Sequence, residues 1–377
     1  MDSFFRSHGV NPGRSGHTLA IEAEQMIFST RRMLADFFGH NGDPNRVVFT
    51  QNATDSLNIA LRGLLKSGDH LITTHLEHNA VARCANHLQR DYNVDVSLAE
   101  ANASGYVQTE SIDSLISPKT AAIVVNHASN VTGVVQDLQS IAALAKKRNV
   151  PLIVDTAQTA GVQDVDMSWG IDILTFTGHK GLYGPMGIGG LIVADDIDLA
   201  PARFGGTGVD SASPFQPEVY PHRLEAGTVS IPGIAGLNAA QKWFARLGAE
   251  HGAEKASHRD ACLVAIDHIH QTEMQHANRI WAHLQTLERV STMGRLQDGP
   301  HIAVVSFTCD GMPAQQIAEM IDADYHICVR AGLHCAPGVH DFFKTADAGG
   351  AVRLSPGYFT ESSDVDHLLE ALSNYLE

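Results

Sequence analysis

The sequence predicts an α/β protein with a largely parallel sheet covered by helices, followed by a second, smaller domain. First, short apolar segments alternate with segments of helical periodicity through the first half of the chain. Second, those apolar segments are continuous, as they are in strands buried on both faces. Third, the pattern changes after residues 203–231, a loop rich in Gly, Pro and Ser. The length of 377 residues also favours two packed domains.

The first element is predicted to be a helix over residues 18–38, because its apolar residues recur at helical spacing and Gly39 follows it. Short strands then alternate with helices. The predicted strands are 46–50, 70–74, 121–125, 151–155, 171–176 and 190–194, and the predicted helices between them are 54–65, 79–90 and 137–148. Continuous apolar strands connected through helices indicate a parallel sheet.

The second domain is predicted to begin near residue 240. Long helical stretches cover about 233–290, strands and helices with more polar residues follow, and a terminal helix spans 362–377. We therefore expect three parts: an N-terminal segment 1–14, a large domain 15–240 and a small α+β domain 241–377.

The composition argues against several classes of protein. The formal net charge of −16 disfavours binding to nucleic acids or anionic membranes, although it leaves room for a local site for a small anion. No apolar run approaches the length of a membrane span. The five cysteines are odd in number and have no C-x-x-C spacing, so neither a disulfide framework nor a metal site is predicted. We expect a soluble protein of the reducing cytoplasm.

Polar residues follow each predicted strand of the first domain. In open parallel sheets, binding sites form at the carboxyl ends of the strands. The residues at those ends include Asn52, Ala53, Thr54, Glu77, His78, Asn126, His127, Asn130, Asp155, Gln158, Thr177, His179 and Lys180. The sequence therefore predicts a polar site along one edge of an apolar sheet.

Two of these residues suggest a particular cofactor. Asp155 ends an apolar strand, so it is either a helix cap or the partner of a buried cation such as the pyridinium nitrogen of pyridoxal phosphate. Lys180 follows the next strand among Gly178, Gly181 and Gly184. It is either a surface lysine or an amine that forms a Schiff base with the cofactor aldehyde.

The phosphate of such a cofactor needs hydrogen-bond donors. Ala53 and Thr54 begin a predicted helix, where free N–H groups favour an anion, and Thr177 and His179 can donate from the Lys180 turn. GPMGIGG at 184–190 matches neither the dinucleotide nor the nucleoside-triphosphate motif. His78 is either a structural histidine or a ring that stacks on the cofactor and moves protons.

At these residues the sequence resembles the class V aminotransferase family of pyridoxal-phosphate enzymes, and within it the cysteine desulfurases and selenocysteine lyases. The resemblance extends over nearly the whole chain, and its motifs come in the family's order. They are FTQNATDSLN, LEHNAV, HASNVTG, VDTAQTAG, TFTGHKGLYGP, LEAGT, RAGLHCAP and AVRLSPGYF. The resemblance implies the type I fold of pyridoxal-phosphate-dependent transferases, with a large domain and a smaller C-terminal domain.

The resemblance implies a role for each residue around the cofactor ring. Lys180 would be the Schiff-base lysine, and Asp155 would bind the pyridinium nitrogen. Gln158 would bind the ring hydroxyl, and His78 would stack on the ring. Asn130 would lie near both the ring hydroxyl and the substrate carboxylate.

The resemblance also implies the contacts at the ends of the site. The phosphate would be held by Ala53, Thr54, Thr177 and His179. Thr228 in LEAGT would reach the phosphate of a neighbouring subunit, which implies a homodimer with shared active sites. Arg353 in AVRLSPGYF would bind the substrate carboxylate, a role that suits the two-pronged guanidinium.

Cys335, in RAGLHCAP, is the candidate nucleophile. It follows the strand-like segment HICVR and lies between Gly332 and Pro337 on a predicted loop. In cysteine desulfurases the matching cysteine attacks the sulfur of the cofactor-bound substrate and then carries a persulfide. The segment around it is short, so we expect a limited reach. In contrast, Cys84, Cys262 and Cys309 are expected to be buried and inert.

The resemblance implies the conversion of L-cysteine to L-alanine, with the sulfur passing to Cys335 and then to an acceptor protein. Selenocysteine is an alternative substrate, and an aminotransferase, epimerase or kynureninase-like reaction is an alternative activity. Relatives usually begin with a short strand and an Asn-Ala-Ala-Thr-type segment, whereas this chain begins MDSFFRSHGVNPGRSGH. We therefore expect part of the site wall to be missing or supplied differently. A shortened, non-catalytic partner is the third hypothesis.

Overall fold

The structure is a computed structural model that describes residues 1–12, 16–294 and 299–376. The predicted N-terminal segment 1–14 therefore lies partly outside the described residues. Its described part contains helix α1, Asp2–Ser7, which buries none of its residues.

Within the described residues, seven strands form the large sheet. They are β1 Val47–Thr50, β2 His70–Thr74, β3 Asp95–Ala99, β4 Thr120–Asn126, β5 Leu152–Asp155, β6 Ile173–Thr177 and β7 Gly189–Val193. Their order is β1-β7-β6-β5-β4-β2-β3. Strands β2 to β6 pair in parallel, whereas β7 is antiparallel to both β6 and β1. The prediction of a mostly parallel sheet is confirmed.

Helices cover both faces of this sheet. They are α2 Thr18–Phe37, α3 Ala53–Leu64, α4 Asn79–Tyr92, α5 Thr109–Leu115, α6 Leu138–Arg148, α7 Ile231–Gly248 and α8 His258–Leu284. Successive strand residues point to opposite faces, so Val154 and Ile153 of β5 belong to separate buried clusters. The continuous apolar runs of the sequence thus reflect two cores, one on each face of the sheet.

Strand β3 and helix α5 were not predicted. β3 lies at the edge of the sheet and only Ala99 of its residues is buried, so it has no continuous apolar run. Among the helices of the described residues, none combines the length and the apolar character that a membrane crossing requires.

The second half of the chain forms an antiparallel sheet with its own core. Within the described residues its strands are β8 Val290–Thr292, β9 Val305–Cys309, β10 Arg330–Gly332 and β11 Ala351–Leu354, in the order β10-β11-β9-β8. Three further helices pack in this part: α9 Ala314–Tyr325, α10 Pro337–Phe342 and α11 Ser362–Leu376. The boundary near residue 240 stays a prediction, and that residue lies inside α7.

The segment HICVR is not the strand that the sequence suggests. His326 adopts a left-handed conformation with φ of 55° and ends α9, and residues 326–329 pair with no strand of the described chain. The strand begins only at Arg330.

Candidate active site

The polar residues at the carboxyl ends of the parallel strands come together. Asn126 of β4 is in register with Asp155 of β5, which is in register with Thr175 of β6, so these strands end at the same edge. A cavity of about 300 Å³ opens there. Its lining includes most of the predicted cofactor residues: Ala53, Thr54, His78, Asn130, Asp155, Gln158, Thr177, His179 and Lys180.

A second cavity of about 320 Å³ adjoins the first. The two share His78, Asn130, Gln158, Lys180 and Arg330. The second cavity adds Arg353, as well as residues that the sequence had not indicated: Tyr183, Glu273 and His334. The site is therefore one continuous space with a strand-end compartment and a compartment beside Arg353. We call the second compartment the arginine compartment.

Lys180 lies in the turn after β6, where both compartments meet. A Cβ atom on Gly181 would lie 2.6 Å from the carbonyl oxygen of Ala160, so only glycine lets this turn pack against the segment that follows β5. Burial lowers the pKa of Lys180; Arg353 and Arg330 lower it further, while Asp155 opposes them. An amine with a lowered pKa is more readily neutral and nucleophilic.

Asp155 is buried at the base of the strand-end compartment, with 5% of its surface exposed. Its Oδ1 atom accepts a hydrogen bond of 2.9 Å from the backbone N–H of Ala157. Burial raises the pKa of Asp155, and this hydrogen bond and Lys180 oppose the increase. A buried carboxylate is costly without compensating donors or cations, so a further donor or cation in this compartment would stabilise Asp155.

The start of α3 supplies an anion-binding cradle. The side chain of Asn52 caps the helix by accepting a hydrogen bond of 3.0 Å from the N–H of Asp55, while Ala53 and Thr54 provide the first two N–H groups. On the other side, Thr177 Oγ1 lies 3.0 Å from Nδ1 of His179. Backbone and side-chain donors thus converge at one end of the compartment.

His78 is the N-cap of α4. Its Nδ1 atom accepts a hydrogen bond of 3.0 Å from the N–H of Ala80, which assigns the remaining proton to Nε2. Burial, together with the positive charges of Lys180, Arg330 and Arg83, lowers the pKa of His78 to about 4. The imidazole is therefore neutral near pH 7.

Asn130 and Arg353 form the wall of the arginine compartment. Asn130 Nδ2 donates a hydrogen bond of 2.7 Å to the carbonyl of His334, and Arg353 donates one of 3.0 Å to the carbonyl of Asn130. The buried Nε atom of Arg353 has no hydrogen-bond partner among the described residues. A guanidinium with an unused donor is suited to bind a carboxylate.

Cys335 is exposed in the turn between β10 and α10. It has a φ of 60°, and the preceding His334 has a φ of 50°, so two non-glycine residues adopt the left-handed conformation in succession. The Cys335 carbonyl accepts a hydrogen bond of 2.7 Å from the N–H of Asn79, which ties the turn to the start of α4. Arg330 lies 3.5 Å from the sulfur atom. Cys84, Cys262 and Cys309 are buried, as expected, whereas Cys328 is exposed.

Four residues of the site were missed in the sequence. Arg330 and His334 lie in RAGLHCAP, and Tyr183 lies in TFTGHKGLYGP, so motifs already quoted contained them. Glu273 lies in the middle of α8, where no local motif distinguishes it. Burial raises the pKa of Glu273 to about 7.

Like Cys335, Thr228 is a predicted site residue that lines neither compartment. It is exposed and lines a separate recess of about 230 Å³ together with Arg31 and Glu225. Its contact with the phosphate of a neighbouring subunit stays a prediction. In the part of the chain that the structure describes, no group of three or more His, Cys, Asp or Glu side chains is placed to hold a metal ion.

Comparisons with known proteins agree with this architecture. The family model described as aminotransferase class-V matches residues 1–265 and 261–368. A probable cysteine desulfurase of Methanothermobacter thermautotrophicus is 29% identical, over 99% of this chain and 89% of the relative. The apo structure of a cysteine desulfurase from Thermococcus onnurineus NA1 is similar with a TM-score of 0.87 and 28% identity, over 100% of this chain and 90% of that one. The structure of the cysteine desulfurase CsdA from Escherichia coli is similar with a TM-score of 0.83 and 25% sequence identity, over 99% of this chain and 89% of that one.

Proposed function

Because this chain belongs to the aminotransferase class-V family, we propose that it is a pyridoxal-phosphate-dependent cysteine desulfurase. The observation that carries the proposal is that Lys180 and Asp155 line one compartment, which continues to Arg353. Full-length similarity to cysteine desulfurases supports the choice of reaction within the family.

The residues of the strand-end compartment fit pyridoxal 5'-phosphate. Asp155 offers a buried carboxylate to the ring nitrogen, and the N–H groups of Ala53 and Thr54 offer an anion site to the phosphate. We propose His78, which lines this compartment, as the stacking ring and Gln158 as the partner of the ring hydroxyl. When bound, the cofactor supplies an aromatic ring that withdraws electrons from the α-carbon of the substrate.

The chain's own residues divide the remaining work. Lys180 holds the cofactor covalently and then accepts the α-proton at Nζ, a task helped by its lowered pKa. Arg353 binds the substrate carboxylate through its free donors, and Asn130 fixes the position of that guanidinium. Asp155 keeps the proton on the ring nitrogen.

The sulfur transfer is assigned to Cys335. Its thiolate attacks the sulfur of the substrate, a bond forms between the two sulfur atoms, and the bond between carbon and sulfur breaks. The electron pair of the broken bond stays with the substrate carbon, which takes up a proton to give L-alanine. Cys335 retains the transferred sulfur atom as a persulfide. No external oxidant is needed, because the substrate carbon is reduced as the sulfur is oxidised. The tied turn and the exposed sulfur favour an acceptor that comes to Cys335.

The proposal includes a homodimer, in which Thr228 of one subunit contributes to the phosphate site of the other. Its exposure away from both compartments of its own chain supports that arrangement. L-Selenocysteine, which differs from L-cysteine by one atom, stays the alternative substrate of this site.

The test is to load the purified protein with pyridoxal phosphate, supply L-cysteine, and quantify L-alanine together with persulfide on the protein. We expect equal amounts of the two products in the first turnover. Cys335→Ser should abolish both sulfur transfer and persulfide. Cys328→Ser is the matched control, because it removes the other exposed thiol. Sulfur release at the wild-type rate from Cys335→Ser, or transfer of the amino group to a keto acid without sulfur release, would contradict the proposal.

A further inference from the structure

Glu273 is a buried carboxylate in the wall of the arginine compartment, and the proposed reaction assigns it no role. It lies in the middle of α8 and is 7% exposed. Its Oε1 atom accepts a hydrogen bond of 3.0 Å from the hydroxyl of Tyr183. Burial of a carboxylate is unfavourable unless hydrogen bonds offset it, so the hydrogen bond from Tyr183 stabilises Glu273 in this position.

Tyr183 connects Glu273 to the Lys180 turn. Its backbone N–H donates a hydrogen bond of 2.9 Å to the carbonyl of Lys180. It also has a φ of 52°, a left-handed conformation that surrounding contacts must maintain. Its ring packs edge to face on Trp243, with 5.2 Å between the ring centroids. The hydroxyl bond to Glu273 therefore fixes one end of the turn that carries the amine.

Tyr358 connects the same carboxylate to the segment that follows Arg353. The backbone N–H of Tyr358 donates a hydrogen bond of 3.4 Å to the hydroxyl oxygen of Tyr183, and that hydroxyl donates its own proton to Glu273. Residues 355–357, which lie between Arg353 and Tyr358, line the arginine compartment. The Tyr358 N–H, the Tyr183 hydroxyl and the Glu273 carboxylate thus form a chain of two hydrogen bonds that joins the two segments.

We propose that Glu273 is a positioning residue: by accepting a hydrogen bond from the Tyr183 hydroxyl, which in turn accepts one from Tyr358, it sets the separation between the Lys180 amine and the Arg353 guanidinium. The roles of these two end groups rest on the proposed function, whereas the bridge between their segments does not. A displacement of about 1 Å in a reacting group can lower a rate by about 100-fold, so a bridge of this kind governs catalysis without touching the reacting atoms.

Two variants test the bridge. Glu273→Met removes the acceptor oxygens while keeping a side chain of similar length, and Tyr183→Phe removes the hydroxyl while keeping the ring packed on Trp243. Asp267→Asn is the matched control, because it removes an exposed carboxylate from the same helix. The first measurement is hydrogen exchange of the protein without substrate. In both variants we expect exchange of segments 181–185 and 355–360 to accelerate by about tenfold or more, with no change in the control.

The second measurement is the kinetics of alanine formation. Both variants should show a lower kcat and a higher KM for L-cysteine, with kcat/KM reduced by about 10- to 100-fold. The double variant should be no worse than the poorer single variant, because the two groups act as a unit.

Unchanged exchange in the two segments would overturn the bridge. So would a lower melting temperature with unchanged kcat and KM, because that pattern is expected of a group that only stabilises the fold. If the wild-type protein makes no alanine from L-cysteine, the proposed reaction fails, while the exchange measurement still decides whether the bridge exists.

Discussion

Arg330 and Arg353 are directly paired across β10 and β11. Directly opposite residues of an antiparallel pair point to the same face of the sheet, where like charges repel. Burial lowers the pKa of Arg353, and Arg330 lowers it further. Arg330 lies 3.5 Å from the sulfur of Cys335, whereas Arg353 donates to the carbonyl of Asn130. Two adjacent cations suit a reaction in which two anions, a substrate carboxylate and a thiolate, must be held side by side.

Replacing Arg330 should slow the reactions of Cys335. The Arg330 guanidinium lies 3.5 Å from the sulfur atom, where its positive charge attracts the negative charge of the attacking sulfur. In Arg330→Gln we expect alkylation of Cys335 by iodoacetamide near neutral pH to slow by about fivefold, since two unit charges 4 Å apart interact by about 1 kcal/mol in water. Peptide mass spectrometry of the labelled protein measures this rate, and Cys328 in the same sample provides the internal reference. Equal rates in wild type and variant would contradict the assignment.

Replacing Arg353 by lysine should weaken substrate binding while the charge is kept. Lysine cannot form the two parallel hydrogen bonds that guanidinium offers to a carboxylate. We expect the KM for L-cysteine to rise by about 10-fold or more, which corresponds to the loss of one hydrogen bond to a charged group. Steady-state kinetics measures it. The control is Arg279→Lys, a partly exposed arginine paired with Asp366 away from the compartments, whose KM should stay at the wild-type value.

Asp155→Asn should remove activity without unfolding the protein. A neutral amide does not keep the ring nitrogen protonated, so we expect kcat to fall by about 100-fold or more, within the range of proton-transfer effects. Because burial raises the pKa of Asp155, replacing it should not lower the melting temperature of the cofactor-free protein at neutral pH. Asp172→Asn, at the opposite end of the same strands, should retain activity. Near-wild-type kcat in Asp155→Asn would rule out the ring-nitrogen role.

Glu77 should make the stability of the cofactor-free protein depend on pH. It is 2% exposed, and burial raises its pKa from 4.5 to about 8. Its Oε1 atom accepts hydrogen bonds from Thr74 and from the N–H of Asn126, whereas its buried Oε2 atom has no partner among the described residues. In the unfolded chain Glu77 releases its proton near pH 4.5, whereas in the folded protein it does so near pH 8. Between these pH values the protein takes up a proton when it folds. The contribution of Glu77 to the free energy of unfolding therefore falls as the pH rises through that range.

Glu77→Gln removes that dependence and keeps a side-chain oxygen for both hydrogen bonds. The melting temperature of the variant minus that of the wild type should therefore increase between about pH 5 and about pH 8. Thermal unfolding followed by circular dichroism measures the difference. A difference that is constant across this range, or that shrinks with rising pH, is incompatible with a neutral Glu77 in the folded protein.

The sequence predicted the elements with the strongest local signals. Strands β4 and β5 have continuous apolar runs because helices cover both of their faces. Asp155 stands out because it ends β5, and Lys180 because it closely follows β6. Strand β3 was missed because it lies at an exposed edge, where burial does not dictate a continuous apolar pattern. HICVR has strand-like composition, yet most of it pairs with no strand of the described chain.

The sequence alone determined the sheet class and the residues at its carboxyl edge, because burial on two faces and the alignment of parallel strand ends are expressed in local patterns. Tertiary structure alone decided that Arg330 opposes Arg353, that Glu273 meets Tyr183, and that Thr228 faces away from the compartments of its own chain. These relationships depend on the register of strands and the packing of helices distant in the chain. Contacts between residues distant in the chain produce no periodic pattern in the neighbouring sequence.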